Sequence, residues 1–207
     1  MGIAREGWPY IAVLLCVGAL LAAMGFAVAG GVLAFLGLFC LYFFRDPERV
    51  IPEGANLVLS PADGKVVGVA EGAAGPIGPG ATQLSIFLSI FDVHVNRAPI
   101  GGRIERVEYH AGEFLPAFDD KASMRNEQNT VVVRDGEVRV AFKQIAGLIA
   151  RRIVFKKRLD DAVLRGERVG LIKFGSRVDV FLPAGSRLRV KRGDRVAGGS
   201  SVLAELP

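Results

Sequence analysis

The sequence predicts a mostly β fold, a compact sandwich or barrel, preceded by an N-terminal α-helical hairpin in a membrane. Three observations predict it. Charge is segregated: of 26 Lys+Arg and 21 Asp+Glu, only Arg5 and Glu6 fall within residues 1–44. An uncharged stretch runs unbroken from Pro9 to Phe44. Residues 45–207 carry short runs rich in Val, Ile and Phe, broken at regular intervals by Gly, Pro and Asp, which is the punctuation of strands.

The length of 207 residues suits one soluble domain with a core of its own, and little more. An apolar share of 51% excludes intrinsic disorder. After Phe44 no second long apolar run follows, which excludes a multi-span transporter. The net charge of +5 belongs to the soluble part.

The uncharged stretch is 36 residues long. One helix crosses a bilayer with about 20 residues, so the stretch fits two short helices or a re-entrant hairpin. Gly30-Gly31 is the predicted turn. Trp8, Tyr10 and Tyr42 lie near its ends, where aromatic belts form. Arg5 flanks one end, Arg45 and Arg49 the other, which predicts both ends on the cytoplasmic side of the cell (inner) membrane. The run far exceeds the apolar core of a cleaved signal peptide. Cys16 and Cys40 both fall inside it and read as packing or lipid-facing residues rather than a disulfide. The soluble part has no Cys, and the chain has two His, so no metal site is expected.

Residues 45–52 form a polar hinge with two prolines. The strand runs that follow are residues 57–59, 65–70, 83–89, 102–109, 130–134, 138–144, 168–173, 178–182 and 187–191. Asp-Gly at 63–64 and at 135–136 predicts hairpin turns. Residues 147–158 read as a short helix or as part of a strand pair. Residues 60–69 and 190–206 look like paired halves of a small sandwich. The second of them, with Gly193-Asp194, Val196 and Gly199, resembles the turn of biotinyl/lipoyl carrier domains. That resemblance implies a barrel-sandwich hybrid core. Without a Met-Lys-Met tripeptide, it implies no carrier function.

The sharpest feature is residues 169–183, VGLIKFGSRVDVFLP, in which two apolar strands flank Phe174-Gly175-Ser176. A Gly-Ser pair between strands is in itself an ordinary turn. Four other stretches accompany it in order: SPADGKV at 60–66, FLSIFDVHVNRAP at 87–99, RNEQNT at 125–130 and QIAGLIARRIV at 144–154. Together they resemble the short, single-domain branch of the phosphatidylserine decarboxylases, over roughly residues 45–207. Those pyruvoyl enzymes cleave themselves at a Gly-Ser bond.

The resemblance implies cleavage between Gly175 and Ser176 of a proenzyme. The products are a 1–175 beta chain and a 176–207 alpha chain that stay together as a heterodimer. The alpha chain then begins with a covalent pyruvoyl group made from Ser176. The group binds the substrate amine as a Schiff base and takes up the electrons released with CO2, as pyridoxal does elsewhere. The implied reaction converts phosphatidylserine in the membrane to phosphatidylethanolamine. The chemistry of the pair suits it. A Ser hydroxyl can attack the preceding carbonyl, and Gly tolerates strained backbone and close approach.

Ser176 needs a base, and the base needs an orienting group. Asp63 and His94 match the family positions expected to supply them, and His94 is then the expected proton donor after CO2 loss. Longer members carry a second His where this chain has Arg97, which cannot act as a base and suits phosphate or carboxylate. Glu127 and Asn129 fall in the loop that the family places near its substrate pocket. Residues 139–158 hold seven basic side chains and no acidic one. Arg151 and Arg152 among them suit anionic headgroups. His110 reads as structural or surface. No aromatic platform supports nucleic-acid binding. The rival from another class is a membrane-anchored β-sandwich that binds lipid or a partner and never cleaves.

Overall fold

The computed structural model describes residues 2–113, 126–147, 152–173 and 175–207. The chain divides into two compact units, Met1–Glu48 and Arg49–Pro207.

The first unit is a helical hairpin. Helix α1 spans Trp8–Ala23, continuing a short 3-10 turn at Arg5–Gly7, and helix α2 spans Ala27–Phe43. Arg5–Ala23 is long and apolar enough to cross a membrane by length and composition; Ala27–Phe43 is shorter. The reversal falls at Gly25, not at Gly30-Gly31. Gly25 adopts φ +90°, a conformation that favours glycine. Gly30 instead lies inside α2 where the helices touch. A Cβ there would stand 2.7 Å from the Gly18 carbonyl oxygen, so the pair lets the two backbones approach closely. Strands β1 (Gly2–Ile3) and β2 (Arg45–Asp46) pair antiparallel and tie the two ends of the hairpin together. Both cysteines are free, Cys16 exposed and Cys40 buried.

The second unit is mostly β. Its strands are β3 (Leu57–Leu59), β4 (Gly64–Gly75), β5 (Gly78–Leu88), β6 (Val95–Arg97), β7 (Gly102–His110), β8 (Gln128–Asp135) and β9 (Val138–Ala146). They continue with β10 (Ile153–Phe155), β11 (Ala162–Val163), β12 (Arg168–Ile172), β13 (Ser176–Leu182), β14 (Arg187–Leu188), β15 (Arg195–Val196) and β16 (Val202–Glu205). Eight form one sheet, curled into a half-barrel, in the order β11-β7-β8-β9-β13-β5-β4-β15. Two three-stranded sheets accompany it, β10-β12-β6 and β14-β16-β3. Every named strand pair is antiparallel.

All nine predicted runs overlap strands, the run 187–191 only at Arg187–Leu188. Of the two expected Asp-Gly hairpins, only Asp135-Gly136 turns one, joining β8 to β9 where Asp135 opposes Val138. Asp63-Gly64 opens β4 instead, because β3 and β4 pair with different partners. In residues 147–158 the strand reading holds for Ile153–Phe155, which pairs with β12; residues 148–151 lie outside the described residues.

Alternation along β13 sets the core. Val178, Val180 and Leu182 point into the main cluster with Leu84, Ile86, Val131, Val133, Val140 and Phe142. Ser176 shares that inward parity. Phe142 is fully buried there, so Phe142→Ala is expected to cost about 3–5 kcal/mol, read by urea denaturation. A loss below about 1 kcal/mol would contradict this account of the core. The opposite face of β13 is buried but charged. Arg177 Nε donates to Asp179 Oδ1 at 2.6 Å, Arg177 Nη2 to Ser85 Oγ at 2.7 Å, and Gln83 Nε2 to Asp179 Oδ2 at 3.0 Å. The bonds to Ser85 and Gln83 fasten β13 to β5, and the Arg177–Asp179 pair ties the two charged residues within β13.

Candidate active site

The site forms at the end of the sheet where β13 begins. Ser176 lies between Leu88 of β5 and Ala146 of β9. It is fully buried, and its Oγ has no hydrogen-bond partner. A buried hydroxyl without a partner is costly and uncommon, which marks it as a place where function overrides stability. Gly175 before it adopts φ +71°. A residue with a side chain would be strained in that conformation. Phe174 lies outside the described residues.

His94 reaches this bond from the turn before β6. Its ring is 2% exposed. Nδ1 lies 3.0 Å from the Asp92 carbonyl oxygen. A carbonyl only accepts, so Nδ1 carries the proton. Nε2 then presents a lone pair and accepts the Gly175 N–H at 3.2 Å. The neutral imidazole is therefore held with its basic nitrogen against the residue whose carbonyl Ser176 would attack. Ile172, at the end of β12, donates its N–H to the His94 carbonyl at 3.3 Å, so both strands around the bond are tied to this residue.

Asp63 occupies a neighbouring but separate position. Its Oδ1 accepts the Gly198 N–H at 2.7 Å. Arg49 Nη2 donates to Oδ1 at 2.9 Å and Oδ2 at 2.7 Å. The carboxylate is thus engaged by Arg49 and by the turn before β16, and it does not complete a hydrogen-bonded triad with His94. Burial is the largest influence on Asp63 and pushes its pKa above the ordinary carboxylate range, with nearby Asp92 pushing the same way; the Gly198 N–H and Arg49 oppose them. A raised pKa in the folded state means a contribution to stability that is present below the ordinary carboxylate pKa and lost as pH rises through the raised value. Wild type is therefore expected to gain stability relative to Asp63→Asn as pH falls from neutral toward the carboxylate range, read by thermal melts in detergent. Parallel pH profiles for the two proteins would contradict that assignment.

The other predicted residues spread around this end of the sheet. Arg97 is buried, and its Nη1 donates to the Gly166 carbonyl at 3.0 Å. Glu127 Oε1 accepts from Tyr109 Oη at 3.1 Å and from the Ile153 N–H at 3.3 Å. Asn129 heads a buried polar chain: its Nδ2 donates to Gln144 Oε1 at 3.0 Å, Gln144 Nε2 donates to Asn96 Oδ1 at 2.8 Å, and Asn96 Nδ2 reaches the Pro61 carbonyl at 3.4 Å. Arg152 is exposed, and its carbonyl accepts the Lys173 N–H at 3.2 Å. Arg151 lies outside the described residues. The basic run of 139–158 is partly spent on ion pairs, Arg139 with Glu105 and Lys157 with Glu167. Among the described residues no group of three or more His, Cys, Asp or Glu is placed to hold a metal ion.

Sequence reasoning missed Arg49, Asp92 and Gly198. Arg49 reads in sequence as a flanking charge of the membrane stretch, and Asp92 acts through its backbone carbonyl. Neither role leaves a mark in residue type. Nearness to His94 within FLSIFDVHVNRAP was the one available signal for Asp92.

The sequence profile of the phosphatidylserine decarboxylase family matches residues 36–204. The chain belongs to that family. Relatives span its length. The chain is 48% identical over 207 residues to the phosphatidylserine decarboxylase proenzyme of Burkholderia pseudomallei (strain 1106a), covering 99% of this chain and 95% of that one. It is 53% identical over 199 residues to the proenzyme of Solibacter usitatus (strain Ellin6076), covering 94% and 93%. To that of Symbiobacterium thermophilum it is 48% identical over 208 residues, covering 99% and 96%. As a family member the chain is a decarboxylase, a carboxy-lyase made as a proenzyme.

Proposed function

We propose that this chain is a membrane-tethered phosphatidylserine decarboxylase that matures by cutting itself between Gly175 and Ser176 and forms phosphatidylethanolamine and CO2. The observation that carries the reading is the pairing of an unpartnered, buried Ser176 Oγ with His94 Nε2 at the neighbouring amide. In maturation, Ser176 Oγ attacks the Gly175 carbonyl carbon while His94 Nε2 takes the hydroxyl proton. The C–N bond breaks, the amine regains a proton, and Gly175 is left as an ester on Ser176. Loss of the Ser176 Cα proton then expels the Gly175 carboxylate and leaves dehydroalanine. One water hydrolyses its imine tautomer, releasing ammonia. Asp63 is matched to the family's orienting position, and its carboxylate is held by Arg49 and the Gly198 N–H.

The residues present fit a pyruvoyl group at position 176: Cα and Cβ of Ser176 would become its keto and methyl carbons, the orphaned hydroxyl oxygen would leave with the Gly175 carboxylate, and water would supply the keto oxygen. Such a carbonyl supplies an electron sink for decarboxylation. His94, with Nδ1 held by Asp92, is the candidate to deliver the proton that replaces CO2. Arg97, Glu127, Asn129, Arg151 and Arg152 are the candidates for substrate contact.

The sheet topology supports an association that outlasts cleavage. Downstream strands β13, β15 and β16 pair with upstream β5 and β9, β4, and β3. The barrel-sandwich hybrid core belongs to the same proposal. Its support is the pairing of Arg195 with Lys65 and the bonds Val66 N–H to the Asp194 carbonyl and Gly193 N–H to the Val66 carbonyl. The apolar helix Arg5–Ala23 supports anchoring in the cell membrane, with the catalytic unit on the cytoplasmic face. The test is turnover: the full-length protein in phosphatidylserine vesicles is expected to release CO2 and form an equal amount of phosphatidylethanolamine. No release by a correctly folded, cleaved protein would overturn the reading.

A further inference from the structure

The turn between β5 and β6 forms one rim of the site, and it is built to hold an apolar side chain outward. Ser89 donates its N–H at 2.8 Å and its hydroxyl at 2.7 Å to Asp92 Oδ2. Arg195 Nη1 pairs with Asp92 Oδ1 at 3.2 Å. Between these anchors stand Ile90 and Phe91. Ile90 Cγ2 lies 3.9 Å from where a Cβ on Gly175 would be. Phe91 is 61% exposed. A single exposed apolar residue is ordinary on a protein surface. This one sits on a pinned turn, beside a side chain that faces the Gly175-Ser176 bond.

Its charged surroundings name a partner. The Arg195 side chain is 74% exposed and stands opposite exposed Lys65 in the β4–β15 pair. Lys191 and Arg192, on the turn before β15, are exposed as well. The acidic neighbour Asp194 has its carboxylate turned back onto the Lys191 N–H. An exposed aromatic ring with cations beside it matches the interface of an anionic bilayer, where the ring enters the acyl boundary and the cations meet phosphates.

We propose that the Ile90-Phe91 turn is a membrane-inserting wedge, which seats the mouth of the site on an anionic phospholipid surface. The proposal rests on the decarboxylase reading for the substrate that this seating serves. Its physical content is that a headgroup can reach a fully buried Ser176 while its acyl chains stay in the membrane. Phe91 is a positioning residue in this account and touches no reacting atom.

The test uses the full chain reconstituted in phosphatidylserine-containing vesicles. The single native tryptophan is removed with Trp8→Phe, and one reporter is placed by Phe91→Trp or, as a control, Leu164→Trp. Leu164 is 76% exposed and follows β11. Acyl-brominated lipids are expected to quench the Phe91→Trp reporter at least about twofold more than the Leu164→Trp control, with a blue-shifted emission that weakens at high salt. Equal quenching at the two positions would overturn the proposal. So would a blue shift that follows protein concentration instead of lipid, which would mark a contact between copies. Phe91→Asp gives a second readout: the surface fraction of phosphatidylserine needed for half-maximal rate rises about tenfold or more, with a smaller change in kcat. A fall in kcat with unchanged half-saturation would contradict the wedge. Quenching without decarboxylation would refute the decarboxylase reading and leave the wedge standing.

Discussion

Ser176→Ala is expected to give a single uncleaved chain with no detectable decarboxylation. Alanine has no oxygen to attack the Gly175 carbonyl and no leaving group for elimination, so neither the cut nor the pyruvoyl group can form. The loss is complete because the chemistry is removed, not weakened. The fold should tolerate the change. Ser176 Oγ is buried without a partner, so deleting it breaks no bond and removes a desolvated polar atom. The uncleaved variant should melt no lower than an uncleaved wild-type preparation. Denaturing electrophoresis reads the cleavage, and CO2 release reads the activity. Decarboxylation by the alanine variant would reject the pyruvoyl mechanism.

The second large effect is at His94. His94→Ala removes the lone pair that accepts the Gly175 N–H. General-base assistance is worth about 10²–10⁴-fold, so self-cleavage should slow by about that factor. His94→Gln separates the two duties of the ring. A glutamine can still hydrogen-bond its surroundings but cannot accept a proton near neutral pH. It is expected to fold like wild type and to process as slowly as the alanine variant. The measurement is the time course of fragment appearance in freshly made protein. Processing of His94→Gln at the wild-type rate would remove His94 from the base role.

The strands were legible because β-branched runs bounded by Gly, Pro and Asp carry local information. Short β6 (Val95–Arg97) and β15 (Arg195–Val196) escaped because two or three residues cannot display an alternating pattern. The hairpin turn was misplaced from Gly25 to Gly30-Gly31 for a different reason. Glycine serves both for a reversal and for close helix packing, and only the packing partner tells them apart; here that partner is Gly18. The Asp63-Gly64 turn failed as a hairpin because strand pairing is decided by partners far along the chain.

At the site, the family resemblance carried by the ordered motifs pointed to Ser176, Gly175 and His94, and the fold brings His94 to Gly175 from 81 positions away. Spacing alone could not show that contact. The position of Asp63 was legible, but its bonding was not. Its cation comes from Arg49, a residue whose place beside an apolar stretch suggests a membrane flank.

The most direct test of self-cleavage is the intact mass of the protein purified from cells that produce it. Two species are expected in place of the 22.1 kDa chain. One is residues 1–175 ending in a free Gly175 carboxylate. The other is residues 176–207 with a pyruvoyl group at its start, lighter than the serine-initiated peptide by the mass of ammonia and closed to sequencing from its amino end. A single unmodified chain of 207 residues in a preparation that decarboxylates phosphatidylserine would contradict the account.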